Sequence, residues 1–144
     1  MARGDARFDA FKLAGSRATI GGRLDPSELP RLEDRVAESG GHVDWAIEGT
    51  ADVQGRPAIS VRLAGSVPLT CQRCLGSLAQ EVGQSTRLLL ARDDAELVRL
   101  DEASEDEVVL ANGPLDPVAL VEDELLLTLP FAPRHEASCA PQVE

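Results

Sequence analysis

The sequence predicts an α+β fold: an antiparallel β-meander, or a small barrel-like sheet, with two short helices and an extended C-terminal tail. Three observations point there. Val43, Trp45 and Ile47, and again Ile59, Val61 and Leu63, alternate with more polar neighbours, the period-2 pattern of strands with one buried face. Helical spacing behind a cap residue occurs twice, after Ser27 and after Asp116. Pro130 precedes the last stretch, 131–144, and prolines at 133 and 141 interrupt it, so it is expected to be irregular. At 144 residues the chain hides about 68–70% of its extended surface on folding, enough for one core, so a single domain over 1–144 is expected.

In chain order, 7–14 and 18–24 read as two short extended pieces around Gly15-Ser16, with Phe11 and Leu13 on one side. Ser27 is then placed as an N-cap with Pro30 at N3, where a missing N–H costs nothing; Leu29, Leu32 and Val36 form the apolar stripe and Gly40-Gly41 ends the helix. Two strands flank a turn-rich 52–57, and a further pair, 67–70 and 78–91, brackets a Cys-x-x-Cys. The acidic segment 92–107 lacks periodicity and is expected to be a mobile, solvated loop. A short strand at Val108-Val109-Leu110 precedes the turn Asn112-Gly113-Pro114. Asp116 as N-cap and Pro117 at N1 open a second helix, with Val118, Val121, Leu125 and Thr128 on one face until Pro130.

Charge is distributed unevenly. Up to Arg92 there are 12 Lys/Arg against 11 Asp/Glu; from Asp93 onward there are 2 against 14. A broad phosphate-binding face is disfavoured by that negative potential, so RNA contact is restricted to a small basic patch drawn from Arg56, Arg62, Arg73, Arg87 and Arg92. No apolar run reaches the roughly 18–20 residues of a membrane span, and MARGDARFDAF lacks the apolar core of a secretory signal. Cytoplasmic residence is expected, and with it reduced cysteines.

The chemistry-bearing residues are few. Cys71 and Cys74, two residues apart around Gln72-Arg73, suit one tetrahedral metal, and His135 with Cys139 completes a Cys₃His set of the kind that holds structural zinc. The alternative is two small core cysteines at a strand end and a frayed tail. Thioredoxin-type redox work is a third option, disfavoured because the motif follows an antiparallel strand rather than opening a helix in a βαβ unit. His42 reads as an exposed strand-start histidine, Trp45 as core, and Glu122-Asp123-Glu124 as a solvated helix face, since three consecutive helical residues fan over a wide arc. No phosphate loop, nucleophile elbow or catalytic triad is spelled out, and neither an enzyme nor a small-molecule substrate is expected.

Leu69-Thr70-Cys71-Gln72-Arg73-Cys74-Leu75, then Val121-Glu122-Asp123-Glu124-Leu125-Leu126-Leu127-Thr128-Leu129-Pro130, then Pro133-Arg134-His135 with Cys139, resemble in that order the YceD family of large ribosomal RNA subunit accumulation proteins. The likeness covers most of the chain from Val67 onward. It implies a role in the synthesis, processing or stability of large-subunit (23S) ribosomal RNA, without catalytic residues, and places Cys71, Cys74, His135 and Cys139 at the family's characteristic positions. The expected partner is a ribosomal protein or large-subunit precursor. Arg62, Arg73, Glu122 and Asp123 are the candidate binding residues, direct RNA contact by Arg62 and Arg73 is the alternative, and the acidic segment would steer the approach of a basic protein.

Overall fold

The structure is a computed structural model that describes residues 7–32, 34–38 and 40–130. Its elements are helix α1 (Ala10–Ser16), strand β1 (Thr19–Leu24), a 3-10 turn (Pro26–Glu28), β2 (His42–Ala51), β3 (Pro57–Thr70), β4 (Ser77–Ala91), α2 (Asp94–Ala103), β5 (Glu107–Leu110) and α3 (Pro117–Thr128). The five strands lie in one sheet in chain order. The sheet is mixed and open. β4 pairs with β5 in parallel, Leu88 opposite Glu107 through Ala91 opposite Leu110, because a whole helix, α2, carries the chain back between them. The α+β class thus holds, but a purely antiparallel meander and a barrel do not, and the helices among the described residues number three.

The chain forms two compact units, to both of which β2, β3 and β4 contribute segments. The first comprises, of the described residues, 7–22, 45–62 and 84–121. Its apolar centre includes Leu13, Ile47, Ile59, Val61, Leu89 and Val121. Helix α1 stands where an extended piece was expected. Asp9 caps it by accepting from the Lys12 N–H at 3.1 Å, and the buried set is Ala10, Leu13 and Ala14, a helical i, i+3, i+4 face that outweighs the Phe11/Leu13 alternation. The helix lies directly on β2: a β-carbon at Gly49 would come within 1.9 Å of the Leu13 carbonyl oxygen. Trp45 is half-buried, with its ring against Gly22, whereas Val43 and Ile47 of the same strand face are fully buried.

Segment 92–107 is the second correction. Asp93 accepts from the Glu96 N–H at 2.8 Å and Glu96 accepts from the Arg92 N–H at 2.7 Å, a reciprocal arrangement related to the capping box. Acidic Asp94 and Glu96 in the first turn also complement the positive end of the helix dipole. The high density of carboxylates therefore opens a helix rather than a loop.

The second unit comprises, of the described residues, those within 23–44, 63–83 and 122–130, with Leu29, Leu32, Val67, Leu69 and Leu125 at its centre. Its first segment is not the expected helix. Asp25, not Ser27, is the cap, accepting from the Ser27 N–H at 2.9 Å and the Ser27 hydroxyl at 2.8 Å. That puts Pro30 at the fifth helical position, where its ring meets the carbonyl four residues back, and the helix stops after one turn. Leu29 and Leu32 are still fully buried, but through a chain of turns that ends with Val36 bridged to Leu69 and the Ala37 N–H donated to the Pro68 carbonyl. The second Asp25 oxygen accepts from the Gly40 N–H at 3.0 Å, closing the segment. That bond, with those from Ser27, holds the Asp25 carboxyl below the usual carboxylate range against the opposing effect of burial.

Helix α3 matches expectation: Asp116 accepts from the Val118 N–H at 3.0 Å, Pro117 is the first residue, and the helix ends before Pro130. No described helix is long and apolar enough to cross a membrane.

Candidate functional site

The Cys-x-x-Cys occupies the turn between β3 and β4. Cys71 ends the alternation of buried residues Val67 and Leu69 and is itself fully buried; Cys74 is 5% exposed. The turn is tied by three contacts: the Cys71 N–H to the Gly76 carbonyl at 2.8 Å, the Leu75 N–H to the Cys71 carbonyl at 2.8 Å, and the Gly76 N–H to Cys74 Sγ at 3.4 Å. Leu75 adopts φ +63°, a conformation that costs a β-carbon-bearing residue roughly 1–2 kcal/mol, although its side chain is 67% exposed. Gln72 and Arg73 project into solvent beside it. Neither cysteine is in a disulfide, and a strand rather than a helix follows, so the turn lacks the helix N-terminus that sets a redox thiol in thioredoxin-like folds.

His135 and Cys139 lie outside the described residues. Among the described residues no three His, Cys, Asp or Glu side chains converge as a metal-ligating group; Cys71 and Cys74 lie on one turn.

The basic residues divide into two kinds. Arg56 is bound to Asp52 at 2.7 Å, Arg87 to Asp106 at 2.9 Å, and Arg92 reaches Glu96 while its guanidinium stacks 4.4 Å from the Phe11 ring centroid. Arg62 and Arg73 are exposed and have no acidic partner among the described residues. His42 is exposed at the start of β2, as expected.

Glu122 corrects the expected solvated face. It is 7% exposed, and Glu124, which has a partner of its own, is 4% exposed. Glu122 accepts from the Arg31 backbone N–H at 2.9 Å and from Arg31 Nε at 3.0 Å, while exposed Asp123 takes the other arm of the same guanidinium. The pair of carboxylates raises the Arg31 pKa, Asp123 contributing most. These two acids therefore anchor the 25–41 segment to α3. Arg31 itself was invisible to pattern reasoning. Glu122 was not: it sits four residues after Val118 and three before Leu125, on the apolar stripe.

Free carboxylates are found instead on and beside α2. None of its residues is buried, and Asp94, Asp101, Glu102, Glu105 and Glu107 are exposed, with no basic partner among the described residues. Val98, 55% exposed, lies among them.

The geometry thus defines a small α+β protein with a buried two-cysteine turn, an acidic surface helix and, in that turn and on β3, the exposed Arg73 and Arg62. The family model of the large ribosomal RNA subunit accumulation protein YceD matches residues 59–144, well over half of the chain, and the protein belongs to that family. No solved structure matches it. The family description ties its members to accumulation of large-subunit ribosomal RNA.

Proposed function

We propose that the protein is a non-enzymatic ribosome-biogenesis factor of the cytoplasm that supports 23S ribosomal RNA by holding a basic ribosomal protein, free or on a large-subunit precursor. The observation that carries this reading is helix α2: it contributes no buried residue, yet it presents a row of unpaired carboxylates around exposed Val98. A surface of that sign accelerates encounter with basic proteins and repels bare RNA. Affinity purification of tagged protein at low and moderate salt tests it. Basic large-subunit proteins or precursors are expected at both, and combined Asp94→Lys, Asp101→Lys and Glu102→Lys should abolish their recovery. Recovery unaffected by that charge reversal would sink the reading.

A second reading is direct RNA contact by Arg62 and Arg73, favoured by their exposure and lack of ion pairs. Affinity for large-subunit RNA fragments should then fall steeply with salt and fall again in Arg62→Glu with Arg73→Glu. Insensitivity to both would dismiss it.

A further inference from the structure

We propose that the outer edge of β5 accepts an extended, basic segment of the partner protein as an added strand. The inference rests on the reading of α2 as an acidic docking surface, and adds how the partner is held there.

β5 is the last strand of the sheet, so one of its edges faces β4 and the other faces no strand among the described residues. The Ala111 N–H donates to the Ala91 carbonyl at 2.8 Å, toward β4. Peptide groups along a strand point alternately to its two sides. Val109 therefore shares the direction of Ala111, while Val108 and Leu110 present N–H and C=O outward. A row of outward backbone groups is a template for pairing with another chain unless something blunts it.

The usual blunting devices are missing. Glu107–Leu110 contains neither proline nor lysine, and Val108, Val109 and Leu110 are all only half-buried. Negative charge surrounds the strand instead: Glu105 and Glu107 on its own segment, and Asp101 and Glu102 toward the end of α2, are exposed. Helix α2 packs against β5, so these carboxylates and the free edge belong to one part of the surface.

That charge selects the occupant. Two copies of this chain paired edge to edge would bring the same carboxylates together, a juxtaposition that opposes association. An extended segment with alternating apolar and basic residues meets no such opposition. Its backbone completes the outward groups of Val108 and Leu110, one face adds apolar contact to the half-buried side chains, and its lysines or arginines reach the carboxylates. Because the edge is four residues long, it offers few backbone bonds; charge supplies the encounter and the strand supplies the register.

The test uses full-length protein at low salt and, as probe, a synthetic peptide of about ten residues that alternates lysine with valine. Binding should slow amide exchange at Val108 and Leu110. The same peptide with its backbone N-methylated keeps the charge and loses the donors, and should bind at least about tenfold more weakly. Val108→Pro removes one outward N–H, leaves the Ala111 bond to β4 in place, and should weaken the unmodified peptide at least about threefold. Equal affinity for the two peptides would overturn the proposal, whether or not the proline variant folds. So would unchanged exchange at Val108 and Leu110 in the bound state, or a wild-type protein that does not bind the unmodified peptide. The acidic-surface reading is judged separately, since it fails only if partner recovery ignores charge reversal on α2.

Discussion

Strand β3 is entered and left by two turns built on opposite principles. The entering turn, 52–56, is closed by a carboxylate. Asp52 accepts from the Gln54 N–H at 3.0 Å, the Arg56 N–H at 2.8 Å and Arg56 Nε at 2.7 Å, and the positive φ falls on Gly55, at +83°. The leaving turn, 71–76, puts its positive φ on a leucine and directs an N–H at a sulfur. In the first, every local choice agrees with stability. In the second, a leucine holds a strained conformation with its side chain mostly in water, the kind of local conflict that concentrates at functional sites.

The largest expected effect lies in the entering turn. Asp52→Ala leaves two backbone N–H groups and a largely buried guanidinium unpartnered, and should cost about 3 kcal/mol in urea unfolding. Burial pushes the Asp52 carboxyl up, but the bonds from Arg56 and Gln54 prevail and its pKa lies below the usual value. A depressed carboxylate contributes stability that is fully present above its unfolded pKa, roughly 3.9, and is lost as pH falls through the folded value. The stability gap between wild type and Asp52→Asn should therefore be constant at neutral pH and close below about pH 4. A gap that does not begin to narrow as pH falls below about 4 would show that the carboxylate charge is not what holds the turn.

The two acids beside Arg31 extend the same contrast between built and exposed charge. Glu122→Ala should cost about 2 kcal/mol, because it removes the acceptor of a backbone N–H as well as an ion pair that is half open to water. Asp123→Ala should cost less than about 0.5 kcal/mol, since both members of that pair are about half exposed. Equal losses in chemical denaturation would mean that the Glu122 backbone contact is not formed in solution.

Much of this architecture is legible in the sequence where one signal dominates. The β2–β3 hairpin, the long β4 and the capped α3 follow from period-2 alternation and from Asp116-Pro117. Failures occur where two signals compete. Around α1, Ala10 and Ala14 hide a helical face that the bulkier Phe11 obscures; at α2, Asp93-x-x-Glu96 is a start signal lost among like charges. Between 26 and 41, Pro30 decides the outcome according to which residue caps, and the bond from the Ser27 N–H makes it Asp25. Of the candidate site, the cysteine turn was readable from C-x2-C, whereas the burial of Glu122 required placing it on the α3 stripe rather than counting neighbouring charges.

Gly55→Ala and Leu75→Gly bring the comparison back to the two turns, and form its smallest step. The alanine should destabilise by about 1 kcal/mol, since it adds a β-carbon at φ +83° with nothing within 4 Å to pack against. Leu75→Gly relieves roughly 1 kcal/mol of left-handed strain but loosens the unfolded chain by about 0.4–1 kcal/mol, so thermal stability should change by less than about 0.5 kcal/mol. If Leu75 is retained for contact, with Arg73 beside it, partner recovery should fall in this variant while the fold is unaffected. A stability loss above about 1 kcal/mol would instead make the leucine a packing residue, and the asymmetry between the two turns would lose its functional meaning.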